Sequence, residues 1–297
     1  MKKLFLMALA VCIVTACEKD IVLDDATSTV VVDDEGNAVP TKKFTFTLKG
    51  DFSEEWKSVT RGYLQADGKD MTDLWVLDYM GDVLVQQIHQ SDNTAEDFGR
   101  PSMTLAYGSH HVYFVASRGV NPTLNTTNGT ITWNTVRDTF WKDYAVEVVS
   151  TSNGNRAVTL DRIVTKLTLK FTDAVSANAS TINFTPSSWY YTLNYKTGEP
   201  TTVTASQTIL TSVPGSYIGN TDVSISYFSL SPSTDWTTDV NINSKDGDNN
   251  IIGQGNMSGV PLKRNRVTEY SGPLFSSGGT MTTSLNTDWI TNYEGEW

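Results

Sequence analysis

The chain is poor in cysteine: Cys12 and Cys17 are the two thiols among 297 residues. Cys12 lies in an apolar amino-terminal run that we expect to be removed, so the mature chain keeps one thiol. A single cysteine excludes an internal disulfide framework. The fold must therefore be stabilised by its hydrophobic core. About 280 mature residues suffice for that, as two domains of ordinary size or as one large β domain.

Sequence motifs of catalysis are also lacking. The mature chain has no thiol nucleophile, no G-x-S-x-G elbow, no H-E-x-x-H pair and no phosphate-binding glycine loop. Its histidines are His89, His110 and His111. Adjacent residues of a strand point to opposite faces, so His110 and His111 cannot share a metal, and we interpret them as surface or hairpin residues. We predict no enzyme activity, no cofactor and no metal.

Positive charge is scarce as well. The 22 basic residues are outnumbered by 33 acidic ones, and the net charge of −11 becomes −13 when Lys2 and Lys3 leave with the amino-terminal run. Such acidity argues against nucleic acid or an anionic membrane surface as a partner. Beyond the amino terminus, no segment is long and apolar enough to cross a membrane.

The amino terminus has the pattern of a lipoprotein signal. Lys2 and Lys3 precede the apolar residues 4–14, a run too short to span a bilayer. Small residues then lead directly to Cys17. An ordinary signal peptide does not need that cysteine, whereas a lipoprotein signal carries its diacylglycerol there, and stable anchoring needs two or more acyl chains. We predict a signal peptide and lipobox over residues 1–17, lipidated at Cys17. The alternative is a plain signal peptide with an incidental cysteine.

The rest of the chain is rich in β-forming residues. Residues 18–42 are acidic and small, and we interpret them as a tether. Phe44, Phe46 and Leu48 then alternate with polar residues, which predicts a strand with one apolar face. Residues 139–149 are predicted to form a short helix that leads into a strand. Further strands are predicted at residues 74–80 and 83–85 (a hairpin), 110–116, 161–171, 181–184, 201–210, 223–230, 266–275 and 280–290.

Strands at this spacing predict an all-β fold built of β-sandwiches. Residues 151–155 are small and polar, so we place a boundary there between domains at 43–155 and 156–297. Residues 246–250 begin like a calcium loop. Ile251 stands where that loop needs glycine and Met257 where it needs a bidentate glutamate, so we predict a hairpin turn instead.

Two segments suggest binding. Trp189-Tyr190-Tyr191 could stack on a sugar ring, which would make the protein a glycan-binding surface lipoprotein, or it could form a buried corner of a sandwich beside Pro186. Residues 280–297 are strand-like without an obvious hairpin partner. Such a tail is suited to pairing with the open sheet edge of another chain.

Taken in order, these segments resemble the fimbrillin superfamily, the FimA-like and Mfa-like pilus lipoproteins of Bacteroides-type bacteria. The resemblance covers nearly the whole chain and rests on several segments rather than one sharp motif. They are the lipobox ending at Cys17, the strand at residues 44–48, Arg61, residues 71–79, 107–119, 160–167 and 262–266, and the tail with Trp289 and Trp297.

The resemblance implies two transthyretin-like β-sandwich domains in tandem and assembly by strand exchange. An arginine-specific protease would cut after Arg61 and so release the first strand. The inward residues of that strand would be Phe44, Phe46 and Leu48. The tail of a neighbouring subunit, residues 280–297, would replace it through Met281, Leu285, Trp289 and Trp297.

The resemblance therefore implies a structural fimbrial subunit that serves adhesion. Its partners would be other fimbrial subunits in a head-to-tail polymer, the processing protease, and the outer membrane through the lipid of the precursor. Its location would be the outer membrane first and the cell-surface fimbrium afterwards. A lipid-retaining anchor, or an accessory or tip subunit of the same pilus, is the alternative that the sequence leaves open.

Overall fold

The computed structural model of the chain describes residues 35–50, 52, 62–64, 71–204, 207–276 and 284–286. Within these ranges the fold is all-β, with a 3₁₀ turn at Gly215–Tyr217, so the predicted fold class is confirmed. No helix in the described part is long and apolar enough to cross a membrane. The strands are β1 Thr41–Gly50, β2 Gly62–Tyr63, β3 Asp73–Met80, β4 Val83–Gln90, β5 Ser102–Ala106, β6 Gly108–Ser117, β7 Thr123–Asn125, β8 Thr130–Thr132, β9 Thr139–Val148, β10 Asn155–Thr159, β11 Asp161–Arg162, β12 Val164–Phe171, β13 Thr181–Pro186, β14 Trp189–Asn194, β15 Glu199–Thr204, β16 Ile209–Ser212, β17 Val223–Leu230, β18 Trp236–Lys245, β19 Ile251–Leu262, β20 Val267–Gly272 and β21 Ser284–Asn286.

The amino-terminal sandwich consists of two sheets. In the first sheet β1 pairs with β10, β5 and β2, and the second sheet has the order β11-β9-β6-β3-β4. The alternation along β1 turns Phe44, Phe46 and Leu48 toward the second sheet, where Phe46 meets Phe114 edge to face with ring centroids 5.1 Å apart. These side chains and their neighbours form what we call the amino-terminal core. Two sheets that each bury one face of a period-two pattern pack in this way.

The carboxyl-terminal sandwich also has two main sheets. The third sheet has the order β17-β12-β20-β21 and the fourth β16-β13-β18-β19. Phe184 of β13 stacks on Tyr227 of β17, with ring centroids 4.0 Å apart. A fifth, smaller sheet, β15-β14-β8-β7, pairs strands that are distant in sequence. The large core of this half, which we call the carboxyl-terminal core, therefore draws residues from beyond its own sandwich.

The second sheet contributes to both cores. Its outer face carries Leu77 and Tyr79 into the carboxyl-terminal core. The hydroxyls of Tyr79 and Tyr195 share a buried hydrogen bond of 2.7 Å, and Trp141 Nε1 donates to the carbonyl of Tyr195 at 2.7 Å. Because both faces of this sheet are covered, the two sandwiches pack against each other through it.

The chain crosses from one sandwich to the other at Ile163. β11 still pairs with β9 of the second sheet, whereas β12 pairs with β17 and β20 of the third. The predicted strand at residues 161–171 is thus interrupted, because the N–H of Ile163 donates to the carbonyl of Thr139 at 3.0 Å. Arg162 beside it donates to both carboxylate oxygens of buried Asp138, at 2.7 and 2.9 Å. The predicted domain boundary falls at residue 155, where β10 begins. Both β10 and the following β11 pair with strands of the amino-terminal sandwich.

Other local predictions meet mixed outcomes. The hairpin at residues 74–85 is confirmed as β3 and β4, and the turn at residues 246–250 joins β18 to β19. The prediction of a short helix at residues 139–149 is wrong, because β9 is extended and pairs with β6 along its whole length. Its aromatic and branched residues fit a pleated surface, and β6 supplies backbone partners that no local pattern shows. The single strand predicted at residues 201–210 is divided, since β15 ends at Thr204 and β16 begins at Ile209.

Candidate functional site

The strand β1 lies inside the first sheet and not at its edge. On one side, residues 45–49 pair in parallel with β10, and on the other, residues 41–45 pair antiparallel with β5. Between β5 and β2, the N–H groups of Phe46 and Leu48 donate to the carbonyls of Pro101 and Gly99 at 3.0 and 3.4 Å. Removing β1 would therefore leave unpaired backbone groups on both sides of the gap.

The inner face of β1 fills an apolar groove. Phe44, Phe46 and Leu48, the three residues predicted to point inward, are all 0% exposed. Phe46 packs edge to face against both Phe114 and Tyr144, at centroid distances of 5.1 and 5.9 Å. Complete burial of a side chain of this size contributes about 1.5–3 kcal/mol. An emptied groove would expose a long apolar strip of the amino-terminal core.

The rim of this groove holds β1 closely. The N–H of Thr45 donates to the carbonyl of Gly154 at 2.7 Å. A Cβ atom added to Gly154 would lie 2.4 Å from the carbonyl oxygen of Lys43, so the position admits no side chain without movement of β1. The guanidinium of Arg156 lies 5.6 Å from the centroid of the Phe44 ring. The groove is thus shaped for one extended strand at close range.

A buried histidine–aspartate pair lies on the inner face of the second sheet, the face that packs against β1. His110 Nδ1 is 2.7 Å from Asp78 Oδ1, and Nε2 is 2.8 Å from the carbonyl of Ala106 in β5. Burial lowers the pKa of His110, but the hydrogen bond and charge of Asp78 outweigh it, so the net shift is upward. Burial raises the pKa of Asp78 against the opposing effect of His110. Both shifts favour keeping the proton within the pair.

The sequence predicted that all three histidines are surface or hairpin residues, and the structure differs for one of them. His110 is 1% exposed, so that prediction is wrong for it, because the aspartate that satisfies it lies 32 residues away. His111 does face the opposite side, exposed and bonded to Asp143. His89 stacks on Trp75 with ring centroids 3.6 Å apart. Among the described residues, no group of three or more His, Cys, Asp or Glu side chains could hold a metal ion.

The aromatic trio considered for sugar stacking is largely internal. Trp189 is 0% exposed, and its Nε1 donates to the carbonyl of Phe228 at 2.9 Å. Tyr190 is half-buried and packs edge to face against Trp236 at a centroid distance of 5.1 Å. Trp189 cannot present a free ring face to a ligand, so the buried-corner alternative is confirmed for it.

Several predicted site residues lie outside the described residues: Cys17, Arg61, Met281, Trp289 and Trp297. Leu285 belongs to β21, whose backbone pairs with β20 at the edge of the third sheet. Arg61 directly precedes β2, which pairs with the end of β1. A cut after Arg61 would leave β1 with no covalent link to the strands around it.

The site is thus a strand-filled groove. The alternation at residues 44–48 identified its inward face from sequence alone. The neighbours of β1 could not be identified in this way, because β5 and β10 follow it by about 60 and 110 residues. A parallel partner at that separation leaves no local signal. The buried His110 was missed for the same reason.

These features define the class of the protein: an all-β protein of two packed sandwiches in which the first described strand, β1, fills a groove between two others. The chain belongs to a family of unknown function, DUF6562, whose family model matches residues 122–297, more than half of the chain. No protein of curated function matches it.

Several solved structures have some likeness to the chain. A proposed adhesin from Bacteroides ovatus has a TM-score of 0.49 and 11% identity, over 83% of this chain and 88% of that one. The fimbrial anchor protein Mfa2 from Porphyromonas gingivalis has 0.47 and 9%, over 78% and 91%. The C-terminally truncated tip fimbrial protein Mfa3 of that organism has 0.42 and 12%, over 82% and 99%. Likeness at this level assigns no function.

Proposed function

We propose that the chain is the precursor of a structural fimbrial subunit that polymerises by donor-strand exchange and serves adhesion, without enzyme activity. The observation that carries the proposal is the position of β1. It is the first described strand in the chain, its inner face is fully buried, and it has backbone partners on both sides. A groove of this kind accepts a replacement strand as readily as the original one.

The sequence of the tail fits the part of the replacement strand. Met281, Leu285, Trp289 and Trp297 are separated by even numbers of residues, so an extended tail presents all four on one face. A strand of this pattern can supply both the apolar side chains and the backbone groups that β1 supplies now. A subunit that accepts at its groove and donates its tail forms a head-to-tail, open polymer.

Processing at Arg61 connects export with assembly in this scheme. The lipid on Cys17 holds the precursor at the outer membrane, and the acidic body stands away from the surface. A cut after Arg61 separates the body from the lipid and leaves β1 bound by packing and hydrogen bonds alone. The subunit then leaves the membrane for the growing fimbrium when a donor tail displaces β1.

A second candidate is a lipid-retaining anchor, or an accessory or tip subunit, of the same kind of fimbrium. One observation favours it: part of the tail, β21, is already paired with β20 of its own third sheet. A tail used in this way has to detach before it can be donated. Such a subunit would keep β1 or would accept a strand without donating one.

An arginine-specific endopeptidase applied to the purified full-length precursor distinguishes these candidates. For a polymerising subunit, we expect a new amino terminus at Gly62 by mass spectrometry and a ladder of oligomers on native gels. Arg61→Lys is the matched control, since it keeps the positive charge but removes the cleavage site, and it should give neither product. A precursor that is not cut, or is cut but stays monomeric, would support the anchor or tip candidate instead.

A further inference from the structure

A second concave site lies in the carboxyl-terminal half. It is a cleft of about 960 Å³ whose walls are the loop between β8 and β9, the strand β16 and the strand β17. No residue of β1 lines it. Its volume is in the range of sites that enclose small molecules or short oligomers.

The cleft is locally basic although the chain as a whole carries a net charge of −11. Arg118, Arg137 and Lys166 line it, and the acidic residue among its lining, Asp138, is already bound by Arg162. Arg137 is exposed, and within the described part of the chain its guanidinium has no hydrogen-bond or ion-pair partner. An exposed guanidinium without a partner matches a carboxylate in shape and charge.

A buried hydroxyl in the cleft also has no partner. Tyr191 is 7% exposed, and its hydroxyl forms no hydrogen bond within the described residues. Burial raises the pKa of Tyr191 to about 12, so the hydroxyl keeps its proton and remains a donor. Buried polar groups in native proteins are almost always paired, so the Tyr191 hydroxyl has a donor to offer to an acceptor that enters the cleft.

The walls favour a hydroxyl-rich ligand over an added peptide strand. β16 has four residues, which is a short template for a further strand. The free edge of β17 is partly covered, because the carbonyl of Phe228 accepts from Trp189 Nε1 at 2.9 Å and Ser229 Oγ accepts from the N–H of Tyr190 at 3.0 Å. Four side-chain hydroxyls line the cleft: Ser224, and Thr208, Thr211 and Ser226, each of which already bonds one protein hydroxyl. A hydroxyl that has one partner can still bond a sugar oxygen.

We propose that this cleft binds an oligosaccharide that carries carboxylate groups. Arg137 pairs with a sugar carboxylate at the mouth of the cleft, and the Tyr191 hydroxyl donates to a sugar oxygen deeper inside. The Tyr191 oxygen is itself buried, so the cleft wall shifts slightly to admit that sugar oxygen. This site is separate from the β1 groove, and the proposal does not depend on polymerisation. It also differs from sugar stacking on Trp189, which the burial of that ring excludes.

The test is calorimetric titration of the full-length protein with two acidic probes, a hyaluronan hexasaccharide and a hexagalacturonate. We expect at least one of them to bind, and the carboxyl-reduced form of the same oligosaccharide to bind at least about tenfold more weakly. Arg137→Ala should weaken binding by about tenfold or more and Tyr191→Phe by about three- to tenfold. Arg100→Ala, which removes an exposed guanidinium outside the cleft, should bind like the wild type.

Three results would overturn the proposal. The first is that neither acidic probe binds, and the second is that the carboxyl-reduced form binds equally well. The third is that hexaglutamate binds more tightly than either sugar, which would identify the cleft as a peptide site. Tyr191→Phe removes a hydroxyl without a partner and should leave the thermal midpoint unchanged, so a loss of binding in that variant reports on the ligand and not on folding.

Discussion

The pair formed by His110 and Asp78 makes the stability of the amino-terminal sandwich depend on pH. The pKa of His110 is raised above its ordinary value of 6.5 in the folded protein, so its stabilising contribution is complete below that value. The contribution is lost as the pH rises through the raised pKa. The pKa of Asp78 is also raised, which gives a dependence of the same sign.

Substitution of the histidine tests this dependence. Urea unfolding at about pH 6 and about pH 9 should show the wild type losing stability toward the higher pH, and His110→Gln should lose most of that difference. His111→Gln, whose imidazole is exposed and bonded to Asp143, is the control and should keep the wild-type slope. Equal slopes in all three proteins would show that the buried pair does not hold its proton.

The apolar face of β1 determines how firmly the strand is held. Phe46 is 0% exposed and contacts both Phe114 and Tyr144, so Phe46→Ala should lower the free energy of unfolding by about 3–5 kcal/mol. Lys43→Ala, at an exposed position of the same strand, should change it by less than about 0.5 kcal/mol. Chemical denaturation measures both values, and equal effects would mean that β1 is not part of the cooperative fold.

At the level of residues, the sequence predicted which face of a strand is buried better than it predicted which residues a side chain contacts. Alternation with period two identified Phe44, Phe46 and Leu48 as inward, because burial of one strand face depends on local spacing alone. It could not identify His110 as buried, since that depends on register between β3 and β6, which places Asp78 beside the imidazole. The orphan hydroxyl of Tyr191 is a property of the packed molecule and has no sequence signal.

At the level of elements, the docking of β1 depends on the close approach of β10 and the residue before it. Gly154→Ala would place a methyl group 2.4 Å from the carbonyl of Lys43 and so push β1 outward. We expect the variant to expose the β1 amides to faster hydrogen exchange and, after cleavage at Arg61, to polymerise faster than the wild type. Its β1 leaves the groove more easily.

Gly247→Ala is the matched control for this variant. An added Cβ at Gly247 would contact nothing within 4 Å, so exchange and assembly should follow the wild type. If Gly154→Ala exchanged its β1 amides at the wild-type rate, the close approach at this rim would not limit the release of the strand.

Element boundaries were predictable where chain neighbours pair and were not where distant strands pair. β3 and β4 are joined by a two-residue turn, Gly81-Asp82, and their hairpin is visible in sequence. β9 was mistaken for a short helix because its partner β6 lies at a distance in the chain. The strand expected at residues 161–171 breaks at Ile163, since the chain changes sheets there and each sheet has its own register.

At the level of the whole molecule, the all-β sandwich class followed from strand spacing. The packing of the two sandwiches through one shared sheet did not, because it depends on contacts such as that between Tyr79 and Tyr195, which are 116 residues apart. The shared sheet gives the groove of β1 a rigid floor, since its outer face is fixed by the carboxyl-terminal core. In the proposed strand exchange, this floor would keep the groove in shape while a donor strand displaces β1.

The most direct test of strand replacement is to lock β1 in place and ask whether assembly stops. Thr47 of β1 is the register partner of Ala157 of β10, at a spacing between neighbouring strands that a disulfide can bridge. The double variant Thr47→Cys/Ala157→Cys, made without residues 1–16 and with Cys17→Ser, carries no other thiols. The measurement is polymer formation after cleavage with the arginine-specific protease, with and without a reducing agent.

Strand replacement predicts that the oxidised protein is cut but stays monomeric, because the disulfide keeps β1 in its groove. The reduced protein should polymerise to the extent of the matched chain without the cysteine pair. Polymer formation by the cut, oxidised protein at the same rate as the reduced protein would contradict the account, since assembly would then proceed with β1 still in its place.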